Sequence, residues 1–198
     1  MSDAAGVSDG SPPLPGILGD IAEQIAAIRE RLETLAAGKS KEALNWRPEG
    51  NRWSIAECIE HLNLTAHMLL PEIDKSIAAG VPAEPGTEGV SRHSMVFGWL
   101  LPVIEPPPKR RFKAKPDLTP RPDLDAERVI GRFGKVQDEI VERLERARGI
   151  DLTRTKVRHP LIRLMSFRLG ESFVTIAAHE RRHLWQAEQV TQAEGFSA

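Results

Sequence analysis

Ser172–Val190 reads S-F-V-T-I-A-A-H-E-R-R-H-L-W-Q-A-E-Q-V, without glycine or proline. Phe173, Ile176, Ala177, Leu184 and Ala187 recur at three- and four-residue steps, the period of an amphipathic α-helix. His179 and His183 are four apart, so a helix sets their rings on one face about a turn from each other. At roughly 100° per residue the pair lies beside the apolar stripe, not opposite it. Two imidazoles so placed can share one divalent ion. Glu180, Arg181 and Arg182 lie between them, so the same residues equally fit a solvated charged turn. The stretch alone leaves both readings open.

The helical period returns in three more places. Ile17, Ile21, Ile25, Ile28, Leu32 and Leu35 predict a first helix over 16–37, stopped at Gly38. A linker follows, with a turn at Pro48, Gly50 and Asn51. Ser54 and Glu57 form a capping-box pattern ahead of Ile55, Ile59, Leu62, Ala66, Leu69 and Ile73, with Trp53 available just before the cap. This second helix is expected to end near Gly80 and to kink or break locally at Pro71. Asp123 or Asp125 can cap a third helix over 124–148, with Val129, Phe133, Val136, Ile140 and Leu144 inward and Gly149 as its stop. No alternating run demands a strand. Four long helices and one long connection make an all-α four-helix bundle.

Residues 1–15 are rich in Ser, Gly, Pro and Asp and are expected to be a disordered lead-in. Residues 16–198 are expected to form a single domain. The crossover at 80–122 is long enough to suggest a role of its own. Its middle, S-M-V-F-G-W-L-L-P, suits a short helix packed on the bundle or on another subunit. Its basic stretch, K-R-R-F-K-A-K, reads as a solvated loop sooner than as an anion contact.

Across the 198 residues, 27 basic and 28 acidic side chains give a net charge of -1, which offers no pull toward nucleic acid or an anionic membrane. One cysteine, Cys58, rules out an intrachain disulfide and suits a reducing compartment. The opening M-S-D-A-A-G-V-S-D-G has no basic region followed by an apolar run. The longest apolar run, Met95–Ile104, is too short to span a bilayer. A soluble cytoplasmic protein is expected.

N-W-R-P-E-G-N-R-W-S-I-A-E-C-I-E-H-L (45–62), H-P-L (159–161) and A-A-H-E-R-R-H-L-W-Q-A (177–187) together carry a resemblance. In this order they are similar to the DinB-like superfamily, which also holds the YfiT-like metal-dependent hydrolases. The likeness runs from Ile17 to Gln189. It implies a bundle of up-down-down-up connectivity, often a homodimer, with the long crossover between the second and third helices. It also implies a divalent metal ion, commonly nickel or zinc, held by three histidines. By position these are His61, His179 and His183. Some members are transferases or isomerases that use low-molecular-weight thiols such as bacillithiol or mycothiol. The resemblance therefore implies activation of a thiol or water against a small-molecule substrate, in the manner of a thiol S-transferase or hydrolase. A non-catalytic, metal-stabilised dimeric module in binding or stress is the alternative.

Three neutral imidazoles from two helices leave a coordination position open, the pattern of a catalytic zinc-type site. Glu180 is a candidate second-shell acceptor or base, or else the partner of an arginine. Gln186, one turn beyond His183, can orient a ligand or line a pocket, or be a polar residue on the helix flank. Cys58 reads as a small core residue sooner than as a nucleophile. His67 reads as a surface residue and His159, ahead of Pro160, as structural. His93 reaches the site only if the crossover folds over it. H-E-R-R-H also fits the zinc-protease pattern H-E-x-x-H. The metzincin extension fails, because Gln186 and Gln189 stand where it needs glycine and histidine.

Overall fold

The computed structural model describes residues 12–50, 52–108, 113–160 and 165–197. It is mostly helical, with one small two-stranded sheet. Most of the lead-in (residues 1–11), Asn51, the K-R-R-F start of the basic stretch and Leu161–Leu164 lie outside the described residues. Among the described residues, no helix is long and apolar enough to cross a membrane.

Helix α1 is Ile17–Ala36; five of the six residues of its expected stripe are buried, and Leu18 is buried in place of Ile17, which is half-buried. Leu14, just before it, packs on the core, and Arg148 Nη1 donates to the Pro13 carbonyl at 3.0 Å. The expected linker holds a one-turn helix, α2 (Lys41–Asn45), because Ser40 caps it: Ser40 Oγ accepts from the Ala43 amide at 3.1 Å.

Helix α3 is Ile55–Ala78. Its capping box is complete: Ser54 Oγ accepts from the Glu57 amide at 3.2 Å, and Glu57 Oε2 accepts from the Ser54 amide at 2.9 Å. Arg47 Nε donates to the same buried carboxylate at 2.7 Å, tying the preceding loop to the helix start. The local break expected at Pro71 does not occur, and α3 continues to Ala78. Pro71 sits on the exposed side, where backbone groups it leaves unpaired can face water.

Helix α4, Met95–Ile104, is the short helix expected within the crossover. It packs on the last helix; its Phe97 is fully buried, with the ring 6.0 Å from that of Phe167, while Met95 and Trp99 are 94% and 83% exposed. A 3-10 turn at Pro116–Leu118 follows. Helix α5 is Ala126–Arg146, capped by Asp125, with all five expected inward residues buried.

A hairpin that the sequence reading missed comes next. Strands β1 (Lys156–Arg158) and β2 (Ser166–Arg168) pair antiparallel, with Val157 opposite Phe167. Helix α6, Leu169–Thr191, follows directly and starts one turn before Ser172.

Both α1 and α3 pack against both α5 and α6. One apolar cluster joins Leu18, Ile21 and Ile25 to Ile73, Leu144 and Phe173. The other joins Ile28 and Leu32 to Ile55, Ile59, Phe133 and Leu184. Each buried side chain of this size contributes about 1.5–3 kcal/mol of transfer free energy. The crossover is laced to this core. Gly89 takes φ +72°, and a Cβ on it would sit 2.1 Å from the Pro15 carbonyl oxygen. Only glycine lets the segment come that close to the start of α1.

Candidate metal centre

Helices α3 and α6 bring three histidines into one group. His61 faces α6 from the second turn of α3, and His179 and His183 face back from successive turns of α6. Their ring centroids are 4.5 Å apart for His61 and His183, 4.6 Å for His179 and His183, and 5.2 Å for His61 and His179. One ring nitrogen from each lies within 4.8 Å of the others.

The rings are prepared as neutral ligands. His61 is 6% exposed, His183 is 8% exposed and His179 is half-buried. Burial holds all three below the ordinary histidine value of 6.5. His179 is lowered to about 3 by burial first, then by repulsion from His61 and Arg182. His61 Nδ1–H donates to the Leu118 carbonyl oxygen at 2.7 Å. A carbonyl only accepts, so the proton is on Nδ1 and the Nε2 lone pair stays available. Gln186 hydrogen-bonds the His183 side chain. Nδ1 of His183 is buried without a partner among the described residues. Such an orphan costs about 1–3 kcal/mol, which a cation at that nitrogen relieves. Three neutral nitrogen donors, one of them unsatisfied, fit a divalent transition metal.

Trp53 walls one side, its ring 4.9 Å from His61 and 5.9 Å from His183. Above the group is a cavity of about 690 Å³. Leu100, Val103 and Ile104 of α4 line it, as do Trp53, Trp185, Gln186 and the three histidines. The crossover is fastened over it twice from α6. Arg181 pairs with Glu105, and Arg182 Nη1 donates to the Val103 carbonyl at 2.9 Å.

The other candidates lie elsewhere. Glu180 is buried against α5, where its Oε1 accepts from Gln137 Nε2 at 2.9 Å; it does not line the cavity, and its partner is an amide, not an arginine. Cys58 is a core residue, its thiol pushed up by burial. His67 is exposed. The exposed His93 ring lies 4.9 Å from Phe97, outside the cavity lining, and His159 packs on Phe167 in the hairpin.

Sequence reasoning missed three contributors. Trp53 was read only as a neighbour of the cap. Arg182 was read as part of a charged turn. The Leu118 carbonyl is backbone and has no residue-type signal at all.

A family model described as the DinB superfamily matches residues 24–187 of the chain. Neither the search of curated proteins nor that of solved structures gives a match.

Proposed function

The chain belongs to the DinB superfamily, and from that premise we propose a metal-dependent enzyme of thiol S-transferase or hydrolase type. In this reading His61, His179 and His183 hold one divalent ion, nickel or zinc, beside a small-molecule substrate. The observation that carries it is the convergence of three buried or half-buried imidazoles on a point that opens into a cavity. When bound there, such an ion supplies a Lewis acid and lowers the pKa of a water or thiol.

The chain's own residues do the rest. The Leu118 carbonyl fixes the His61 tautomer, and Gln186 orients His183. Trp53 and the α4 side chains Leu100, Val103 and Ile104 exclude water from the reacting end of the substrate. A low-molecular-weight thiol fits the cavity as co-substrate. A non-catalytic module fits less well. A closed structural site needs a fourth protein ligand, and among the described residues only three ligating side chains gather here.

The same reading makes α1, α3, α5 and α6 an up-down-down-up four-helix bundle. The two apolar clusters support it, since each joins one end of α1 and α6 to the opposite end of α3 and α5. It makes the protein a cytoplasmic homodimer, in keeping with the lone buried cysteine and with the exposed Met95, Val96 and Trp99 of α4.

The test is turnover. Metal-loaded protein should conjugate a low-molecular-weight thiol to monochlorobimane or cleave an activated ester, and His61→Ala should abolish it. Full loading with no turnover on a panel of thiols and esters would refute the enzymatic reading.

A further inference from the structure

The cavity over the histidines carries charge of one sign. Arg52, Lys113 and Arg182 line it, and no lining residue is acidic among the described residues. This bias is local, because the chain as a whole has 27 basic and 28 acidic side chains. Of the acids near the lining residues in sequence, Glu57 pairs with Arg47, Glu105 with Arg181 and Glu188 with Arg31, Glu180 accepts from Gln137, and the exposed Glu49 is not part of the lining. The cations are also steadied by the backbone. Arg52 Nε donates to the Glu49 carbonyl at 2.9 Å, and Arg182 Nη1 donates to the Val103 carbonyl at 2.9 Å. Much of the remaining lining is apolar, with Leu100, Val103, Ile104 and Trp53 among it.

A neutral ligand gains nothing from three cations in one pocket. A ligand with one anionic end and an apolar body satisfies both kinds of lining at once. We propose that the substrate of this site is an amphiphilic organic anion. Its carboxylate or equivalent group is read by Arg52, Lys113 and Arg182, and its apolar body lies along α4 and Trp53. This rests on the reading of the cavity as a substrate pocket beside a metal site.

A carboxylate also binds metal ions directly, so the test is run with and without metal. Calorimetry compares 4-phenylbutyrate with 4-phenylbutyramide, and octanoate with octanamide, on the full chain, both metal-stripped and zinc-loaded. The stripped protein should bind each acid about tenfold more tightly than its amide, the order of one partly solvated charged hydrogen bond. The preference should shrink as salt rises. Arg52→Gln/Lys113→Gln changes two exposed side chains and should bring the ratio close to one. Arg52→Glu/Lys113→Glu should invert it. Neither variant should alter zinc stoichiometry.

No preference in the stripped wild type, a preference that survives in both variants, or no saturable binding of either acid overturns the inference. A preference seen only with zinc present also overturns it, because the ion and not the arginines would then read the anion, while the metal reading stands. Acid preference in a protein that binds no metal would sustain this inference and sink the metal reading.

Discussion

Replacing Glu180 with glutamine should stabilise the metal-free protein in mild alkali and leave it unchanged in acid. Glu180 is 3% exposed. Its Oε1 has one donor, Gln137 Nε2, while its Oε2 and the Gln137 Oε1 have none among the described residues. Burial pushes the carboxyl from 4.5 up to about 8. The unfolded chain ionises it near the lower value and the folded chain near the higher. Between the two, the folded state binds more protons, so stability falls as pH rises. The full interval corresponds to about 5 kcal/mol, and relaxation of the interior around the charge brings this to about 2–4 kcal/mol. A glutamine keeps the shape, carries no charge and gives Gln137 Oε1 a donor.

The histidines act in the opposite direction. Their folded values lie below 6.5, so stability is lost as pH falls from there toward the depressed values. The metal-free wild type should therefore be most stable at about pH 6.5–7, where the two limbs balance. Urea unfolding with a chelator, from pH 4.5 to 9, reads both limbs. Glu180→Gln should match the wild type near pH 4.5 and exceed it by about 2–4 kcal/mol at pH 8.5. Equal slopes on the alkaline side, or a less stable variant at pH 8.5, would show that the carboxylate is charged in the folded protein and refute the reasoning.

Phe97→Ala should cost about 3–5 kcal/mol by thermal or urea unfolding, because that ring is the buried anchor of α4. Trp99→Ser, two residues on and exposed, should stay within about 0.5 kcal/mol. Gly89→Ala should destabilise by about 2 kcal/mol or more, since it combines φ +72° with a Cβ 2.1 Å from the Pro15 oxygen. Zinc binding at pH 5.5, followed calorimetrically in buffers of different ionisation enthalpy, should release fewer than about one proton per ion. Three ordinary imidazoles would release about 2.7.

The helices were legible wherever one face is buried. The stripes of α1, α3, α5 and α6 match their buried residues, apart from Ile17 and Leu69, whose neighbours Leu18 and Leu70 are buried instead, because a long amphipathic helix repeats its signal several times. Elements of three to five residues repeat nothing. Helix α2 rests on one serine cap, and each strand of the hairpin shows a single buried residue, Val157 or Phe167. Pro71 leaves α3 unbroken because helix breaking depends on what surrounds the freed backbone, and here that is the exposed side of α3.

At the site, the His179 and His183 spacing was visible within one helix. Their meeting with His61 is a tertiary fact, and only the resemblance anticipated it. Trp53, Arg182 and the Leu118 carbonyl gain their roles from α4 and the crossover lying across α6. Local sequence does not encode that arrangement.

Metal titration of the chelator-stripped, untagged chain tests the three-histidine site most directly. Zinc or nickel should bind at one ion per chain in the wild type and in His67→Ala, and should fail to bind with comparable affinity in His61→Ala, His179→Ala and His183→Ala. Loading that is indifferent to His61→Ala, or no stoichiometric binding of either metal by the wild type, would contradict it.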